Sequence, residues 1–441
     1  MSNRDEQSAT TRTRKKLERF ASRLKQLLES DDDEAKDKKN DEQDEESLEA
    51  EALMIDAAEA RASDVHIDPL GDGYRLRYRI DGAIVDVTDL SEEQGLKVVN
   101  QFRALARLDP IRALYPESGR FSYTLDDQVL DLRVTEAPCI AGDKLSIRLL
   151  ASDRVLEDIQ DLGLNEKGAS YLADWLETVG GLMLTAGPTG SGKTTTLYAL
   201  LHRLKMTDAE VITLEQPVEY EIPGINQIPV NIKQGLDFAT GAKGMLRLDP
   251  DYLVIGELRD EASAEAAINA AAGGRATMAS LHARDAIDTV TVLRNYGLDD
   301  FEIASNLDLV VAQRLVRRLC PDCSVEREPG ERARAWMDSL ELDVPESVHA
   351  AEGCDACGGV GYRGRIGIFE IWRPTEDDYG RIVKHEHVHA LRAGLAERGH
   401  SFLLDDGMRK VGQGLISVDD LRKLGALGAS TAQHDETLLA R

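Results

Sequence analysis

The N-terminal third of the chain shows the alternation of apolar and polar residues that is typical of β-strands. "ALMIDAAEARASD" has helical periodicity, and the segment after it alternates on both sides of a turn at Gly71–Gly73, which predicts a β-hairpin. "GRFSYTLDDQVLDLRVTEAPCIAGDKLSIRLL" continues the alternation and predicts further strands. We therefore expect a small α+β domain at residues 48–158.

From about residue 160 the pattern changes to short apolar strands that alternate with helices. The strand candidates are "GLMLTAG", "EVITLEQ", "YLVIGEL" and "ATMASLH". This alternation predicts a parallel sheet covered by helices, and ligands of such sheets bind at the carboxyl ends of the strands. The predicted fold class is therefore α/β, with a second domain at 159–441 whose last part, 373–441, is mostly helical.

The first 47 residues have a different composition from the rest of the chain. Residues 12–28 carry seven Lys or Arg and an apolar stripe at helical spacing, whereas residues 29–51 hold thirteen acids against three lysines. The acidic stretch cannot bury a core and indicates a disordered linker. The basic stretch is either a docking helix for a membrane surface or partner protein, or a partly ordered leader helix.

Composition narrows the classes of function. The 441 residues carry a net charge of −27, which argues against a broad nucleic-acid surface. No apolar run approaches the length of a membrane span, and the N-terminus lacks the apolar core of an export signal. We expect a cytoplasmic protein with reduced thiols and no direct nucleic-acid partner.

A phosphate-binding loop follows the first strand of the second domain. "GPTGSGKT" fits G-x-x-x-x-G-K-[ST] and lies between an apolar strand and a helical run, the context that distinguishes a P-loop from a chance glycine loop. Backbone N–H groups and the helix N-terminus would bind ATP phosphates, Lys193 the β- and γ-phosphates, and Thr194 the Mg²⁺ ion. The predicted nucleotide-binding residues are Gly187, Pro188, Thr189, Gly190, Ser191, Gly192, Lys193, Thr194 and Thr195.

Three later strands end in polar residues that would meet the P-loop at the same sheet edge. Glu215 ends one strand, Glu257 follows another after Gly256, and His282 ends a third. An acid near the γ-phosphate can polarise the attacking water, and a histidine there can respond to the phosphate. Each residue alone is equally well a solvated strand end, but their order after a P-loop favours catalysis.

Four of the five cysteines form a C-x₂-C-x₃₀-C-x₂-C pattern within residues 320–372. Four thiolates suit tetrahedral Zn²⁺, and each C-x-x-C turn lets two sulfurs face one ion; the long spacer indicates an insert looped out between the pairs. The alternative is two reduced thiol pairs without metal. The predicted zinc ligands are Cys320, Cys323, Cys354 and Cys357, and Cys139 is predicted to be a buried small hydrophobe.

Several motifs in the same order resemble the GspE/PilB family of type II secretion and type IV pilus assembly ATPases. The resemblance covers about 50–425 and rests on "GPTGSGKTTTLYALL", "ITLEQPVEYEIPGINQIPVN", "LRLDPDYLVIGELRDEASAEAAINAAAGGRATMASLHARDA", "QRLVRRLCPDC", "CDACGGVGYRGRIGIFEI" and "ARASDVHIDP". It implies a PAS-like N-terminal domain and a RecA-like ATPase domain. It also implies a homo-hexamer, peripheral on the cytoplasmic face of the inner membrane, whose partners are an integral platform protein and an adaptor.

The resemblance also assigns roles to residues. Glu257 resembles the catalytic Walker B acid, Glu215 the first acid of the aspartate box, and His282 the histidine-box sensor. Arg133 and Arg148 resemble N-domain arginines that reach the phosphates when the domains close; ordinary surface charge is the alternative for both. The tetracysteine segment favours an assembly motor over a retraction motor.

The aspartate box departs from the family pattern, because Gln216 stands where E-D-P has its aspartate. Two further classes of function stay open, and the loss of this charge motivates the first of them. One is a non-hydrolysing, nucleotide-binding scaffold, and the other is a nucleic-acid translocase on the same core, which the acidic composition disfavours.

Overall fold

A computed structural model describes residues 48–109, 114–125, 128–151, 158–178 and 180–425 of the chain. The basic helix and most of the acidic linker predicted for the N-terminus lie outside these residues. The described residues form two compact units, divided near residue 155. No helix among them is long and apolar enough to cross a membrane.

The first unit contains a six-stranded antiparallel sheet with two helices. Its elements are α1 (Leu48–Glu59), β1 (Ala62–Pro69), β2 (Gly73–Ile80), β3 (Ala83–Ser91), α2 (Glu92–Leu105), β4 (Glu117–Leu125), β5 (Gln128–Cys139) and β6 (Gly142–Ala151). The strand order is β3-β2-β1-β6-β5-β4, and all neighbours are antiparallel. The predicted hairpin is β1–β2, so the expectation of an α+β domain is confirmed.

The core of the first unit follows from the two-residue period of its strands. Val65 and Ile67 of β1 and Leu76 and Tyr78 of β2 are buried on one face and pack with residues of α1 and α2. The hydroxyl of Tyr78 donates a hydrogen bond to the Asp56 carboxylate at 2.8 Å, and burial next to that carboxylate raises the pKa of Tyr78.

The second unit is built on a seven-stranded sheet. Its elements are α3 (Glu166–Leu176), β7 (Leu182–Ala186), α4 (Lys193–Leu204), β8 (Val211–Glu215), β9 (Asn226–Pro229), α5 (Phe238–Met245), β10 (Tyr252–Ile255), α6 (Glu261–Ala272), β11 (Ala276–Leu281), α7 (Asp288–Asn295), α8 (Asp300–Asn306), β12 (Leu307–Leu319), β13 (Val325–Arg327), α9 (Glu331–Ser339), β14 (Val348–Ala350), β15 (Tyr362–Trp372), α10 (Glu376–Val383), α11 (Val388–Glu397), α12 (Leu403–Gly412) and α13 (Val418–Lys423). The sheet order is β15-β12-β7-β11-β10-β8-β9.

The four strands predicted from apolar runs lie next to one another in this sheet and run parallel. β7 pairs with β11, β11 with β10, and β10 with β8. Every residue of β7, β8 and β11 is buried, as expected for a parallel sheet covered on both faces. Because the strands are parallel, the residues that follow them emerge at one edge. The predicted α/β class with a parallel-sheet core is confirmed.

The two cysteine segments group with the first unit, although the sequence analysis includes them in the second domain. The first compact unit includes Cys320–Cys323 and Ala351–Gly364, whereas the second includes Ser324–Ala350, which lies between them in sequence. The backbone N–H of Cys320 donates to the Gly361 carbonyl at 3.0 Å, and the Gly364 N–H donates to the Asp81 carboxylate at 3.0 Å. These bonds tie the segments to each other and to β2–β3.

A buried ion pair within helix α12 is hydrogen-bonded to the backbone of β15. Lys410 and Asp406 are 1% and 4% exposed, and Lys410 Nζ lies 2.7 Å from Asp406 Oδ2. Lys410 also donates to the Gly367 carbonyl at 2.5 Å, and the N–H of Phe369 donates to Asp406 at 2.9 Å. Burial lowers the pKa of Lys410, although the Asp406 charge opposes this shift. The pair holds the helix against the strand only while both charges are present.

We expect Lys410→Ala to lower the free energy of unfolding by about 3 kcal/mol, because it removes the buried cation of the Asp406 carboxylate and leaves only Arg409, whose side chain is 35% exposed. Lys423→Ala is the matched control. Lys423 also contacts an aspartate, at 3.3 Å, but its side chain is 60% exposed, so we expect a change below about 1 kcal/mol. Urea unfolding, followed by circular dichroism, measures the free energy of unfolding of both variants. Equal effects of the two substitutions would contradict this account of α12.

Candidate functional site

The P-loop connects β7 to α4, as its sequence context predicts. Gly187, Gly190 and Gly192 have φ values of +155°, +76° and +94°. A Cβ on Gly187 would lie 2.4 Å from Ser191 Oγ and 2.6 Å from the Gln313 carbonyl oxygen, so the close approach requires glycine. Pro188, Thr189, Gly190, Thr194 and Thr195 are exposed, whereas Ser191 is buried and Gly192 and Lys193 are half-buried. The loop therefore presents its outer residues to solvent above the helix N-terminus.

The Lys193 ammonium group bonds to the loop itself. Its Nζ donates to the carbonyl oxygens of Gly187 and Pro188 at 2.8 and 3.2 Å and lies 3.4 Å from Nδ1 of His282. Burial lowers the pKa of Lys193; the Glu257 charge raises it and the Arg314 charge lowers it further. A partly buried ammonium group next to a P-loop is suited to bind an anionic ligand.

Gln313, which the sequence analysis missed, supports the loop from the neighbouring strand. Its side chain is 2% exposed on β12. The amide oxygen accepts a hydrogen bond from Thr196 Oγ1 at 2.9 Å, and Nε2 donates to the Ser191 carbonyl at 2.9 Å. The available signal was a polar residue inside the apolar run "LDLVVAQRLV".

Glu257 lies at the centre of a chain of contacts at the carboxyl edge of the sheet. Its Oε1 lies 2.7 Å from Nε2 of His282, and its Oε2 accepts from Nε of Arg259 at 2.6 Å. Arg259 Nη1 donates in turn to the Gln216 side-chain oxygen at 2.7 Å. Because His282 also contacts Lys193, the structure brings Lys193, His282 and Glu257 together, and adds Arg259 and Gln216.

Gly256 explains why one acid, and not two, ends β10. A Cβ at this position would lie 3.1 Å from the Leu214 carbonyl oxygen and 3.4 Å from the Glu215 Cα. The Gly256 N–H donates to that same carbonyl at 2.8 Å, so the two strands cannot separate without losing the bond. The backbone of β8 thus lies tightly against residue 256, and a side chain there would require it to shift by a few tenths of an ångström.

Glu215 lies at the end of β8, but both of its oxygens already have hydrogen bonds. Oε1 accepts from Thr213 Oγ1 at 2.5 Å and from Gln227 Nε2 at 3.1 Å, and Oε2 accepts from the Tyr198 hydroxyl. The carboxylate is 5% exposed, and burial beside it raises the pKa of Tyr198. Among the described hydrogen bonds, none joins Glu215 to the Lys193–His282–Glu257 group.

Arg133 and Arg148 lie in the first unit, in direct cross-strand register. Arg133 of β5 is opposite Arg148 of β6, and Arg120 of β4 is opposite Arg133. Directly paired residues of antiparallel strands share a face, so three arginines form a row. Arg148 is exposed and donates to the Asp64 carboxylate at 3.0 Å. Arg120 could not be recognised from the sequence, because its position opposite Arg133 depends on the pairing of β4 with β5.

The four predicted zinc ligands form a compact thiol cluster. All four Sγ atoms lie within 4.8 Å of one another, with separations of 3.9 Å for Cys320–Cys354, 3.7 Å for Cys323–Cys357 and 3.8 Å for Cys354–Cys357. A tetrahedral Zn²⁺ site with Zn–S bonds of about 2.3 Å has S–S edges of about 3.8 Å, whereas a disulfide needs about 2.05 Å. The donor set therefore fits a structural zinc ion.

Backbone groups already favour a thiolate at Cys357. Burial raises the pKa of this thiol, but N–H donation from Cys354 and Gly361, each at 3.2 Å, outweighs it and lowers the pKa to about 7. Burial raises the pKa of Cys323 to about 12. The prediction of a buried Cys139 is wrong: this residue ends β5 at the turn into β6, and its side chain is exposed.

Comparisons with known proteins show the family of the chain. The family model described as Type II/IV secretion system protein matches residues 38–423. The chain is 35% identical over 382 residues to the Type II secretion system protein E of Pseudomonas aeruginosa, covering 85% of this chain and 74% of that relative. It is 34% identical over 376 residues to the Type IV pilus assembly ATPase PilB of Acinetobacter baylyi, covering 84% and 65%.

Two solved structures share the fold. The Legionella pneumophila ATPase DotB matches with a TM-score of 0.63 and 18% identity, covering 86% of this chain and 96% of that chain. The pilus retraction motor PilT with bound ADP matches with a TM-score of 0.58 and 22% identity, covering 84% and 95%. At these identities the likeness shows the fold, which is that of secretion ATPases.

We expect the purified protein to contain about one Zn²⁺ per chain, and Cys357→Ser to remove it, because a hydroxyl replaces one of four thiolates. Cys139→Ser is the matched control, since Cys139 lies outside the cluster. Elemental analysis after gel filtration measures the metal, and thermal melting should show a lower midpoint only for Cys357→Ser. Full zinc content in Cys357→Ser, or none in the wild type, would exclude the assignment.

We expect Gln216→Asp to raise the turnover of ATP by about twofold to tenfold. A carboxylate at 216 would share the Arg259 guanidinium and leave more negative charge on Glu257, which strengthens Glu257 as a base. Gln413→Asp is the control, because Gln413 also accepts from an arginine, Arg409 at 3.3 Å, within α12 and its C-terminus. Steady-state phosphate release over a Mg²⁺ titration gives the turnover of both variants. Unchanged turnover in Gln216→Asp would contradict the prediction.

Proposed function

Because the chain belongs to the Type II/IV secretion system protein family, we propose that it is an ATP-hydrolysing motor for pilus or pseudopilus assembly. It would act as a homo-hexamer, peripheral on the cytoplasmic face of the inner membrane. Its partners would be an integral platform protein and an adaptor. The observation that carries the proposal is the contact chain from Lys193 through His282 to Glu257 beside the P-loop.

In this proposal each residue of the contact chain has a separate task. Lys193 exchanges its bonds to the Gly187 and Pro188 carbonyls for β- and γ-phosphate oxygens. His282, which contacts both Lys193 and Glu257, registers whether the γ-phosphate is present. Glu257 accepts a proton from the attacking water or polarises it.

The remaining predicted residues support the reaction less directly. Thr194 is exposed at the N-terminus of α4, where its hydroxyl would join the shell of Mg²⁺, which neutralises charge on the transferred phosphate. Glu215 is fully engaged by Thr213, Tyr198 and Gln227, so its role is to hold the strand end. Arg133 and Arg148 would add guanidinium groups to the phosphates in the assembled motor.

The tetracysteine cluster supports an assembly role. Its sulfur separations fit structural zinc, and the sequence resemblance links this segment to extension and secretion motors. A nucleic-acid translocase is disfavoured by the net charge of −27. Binding of DNA at physiological salt, measured by pull-down across a salt series, would count against the assembly motor.

We expect Lys193→Ala and Glu257→Gln each to lower phosphate release at least about a hundredfold, because one removes a phosphate ligand and the other the acid. Glu265→Gln is the control, since Glu265 is exposed on α6. The assay is steady-state phosphate release from the assembled full chain, with light scattering to establish the oligomer. Unchanged turnover in Glu257→Gln would reject the catalytic assignment, and a monomer under all nucleotide conditions would reject the hexamer.

A further inference from the structure

The loop that carries His282 is short and internally bonded. It runs from the end of β11 to the start of α7 and contains Asp285 three residues after the histidine. The Asp288 N–H donates to Asp285 Oδ1 at 2.8 Å, and the Arg284 N–H donates to Asp288 Oδ2 at 3.0 Å. These bonds join Arg284 and Asp285 to the first residue of α7, so a displacement of Asp285 would strain the segment that follows His282.

A distant helix binds this loop through a nearly buried ion pair. Arg392 of α11 donates from Nη2 to Asp285 Oδ2 at 2.5 Å, across 107 residues of sequence. The exposed fractions of the two side chains are 24% for Arg392 and 8% for Asp285. The Arg392 guanidinium also lies over the Phe402 ring at 5.7 Å from its centroid, which fixes its direction.

A second arginine holds the same loop from the sheet. Arg314, which follows Gln313 on β12, donates through Nη2 to the Arg284 carbonyl and through Nη1 to the Gln313 carbonyl at 2.9 Å. Burial lowers the pKa of Arg314, while the charges of Asp285 and Glu370 raise it. The loop thus lies between a strand that supports the P-loop and a helix of the C-terminal segment.

We propose that Arg392 is a positioning residue of the ATPase site, which sets the placement of His282 against Glu257 by binding Asp285. The inference rests on the proposed ATPase function and extends it to α11, a helix outside the P-loop core. It also gives the C-terminal segment a physical connection to the phosphate site. A change at the phosphates that moves His282 would reach α11 through the same ion pair.

The Arg392–Asp285 ion pair compensates charge in a region that contains a second buried acid. The buried carboxylate of Glu370 is close enough to Asp285 for their charges to interact, so loss of Arg392 leaves two acids with less compensating charge. Asp285 would then move toward solvent and take the loop with it. The 2.7 Å contact between His282 and Glu257 does not tolerate such a shift, because displacements of about 1 Å can cost about a hundredfold in rate.

The test compares Arg392→Gln and Asp285→Asn with Arg398→Gln in the full-length protein. Asn at 285 keeps an oxygen for the Asp288 N–H and removes only the charge. Arg398 is on the segment that follows α11 and pairs with Asp377 at 2.5 Å and with the buried Asp378, but it does not contact the loop. It therefore controls for the loss of a comparable ion pair.

We expect Arg392→Gln and Asp285→Asn each to lower kcat about tenfold, with the KM for ATP within about twofold of wild type. The double variant should fall no further than either single variant, and Arg392→Lys should recover most of the rate. Hydrogen exchange of residues 282–290 should accelerate in Arg392→Gln and stay unchanged in Arg398→Gln. Melting curves identify any variant that fails to fold. If Arg392→Gln does not fold, Arg392→Lys and Asp285→Asn still test the inference.

Two results would overturn the inference. One is normal kcat and normal exchange at 282–290 in Arg392→Gln while Glu257→Gln is inactive, which leaves the proposed ATPase function intact. The other is an equal loss in Arg398→Gln, which would make the effect one of general stability. Absence of turnover in the wild type would reject the proposed function instead, and hydrogen exchange would still decide whether Arg392 holds the loop.

Discussion

The register between β7 and β11 is the constraint on which the site depends. Ala186 pairs with Leu281, so the next residue of each strand, Gly187 and His282, emerges at the same height. The Gly187 N–H bonds to the Leu281 carbonyl at 3.3 Å, and His282 Nδ1 lies 3.1 Å from the Gly187 carbonyl oxygen. A slip of one residue would reverse the faces of β11 and separate the histidine from the loop.

Much of this arrangement could be predicted from the sequence, because it depends on patterns within short segments of the chain. Apolar runs marked the parallel strands, glycine spacing marked the P-loop, and cysteine spacing marked the thiol cluster. The strand ends at 257 and 282 could be placed together because parallel strands share an edge. The predicted α/β class and the recognition of the family both followed from these signals.

The contacts that local signals cannot reveal are those made by side chains distant in sequence. Gln313 supports a loop more than 120 residues earlier, and Arg392 reaches Asp285 over 107 residues. Glu215 was assigned from its position at a strand end, yet Tyr198 on α4 and Gln227 on β9 determine its surroundings. Cys139 was judged from residue type, but its position at a turn leaves it exposed. In each case packing, and not periodicity, decides the outcome.

The two bonds that hold Glu257 bear on when this acid can act. With one oxygen on His282 and the other on Arg259, both carboxylate oxygens of Glu257 have a hydrogen-bond partner. Water near an acid engaged in this way is a poor nucleophile, and in the proposed mechanism the acid would become effective once its neighbours are drawn to the phosphates. An ATPase site built so would discriminate between empty and loaded states at the reacting group itself.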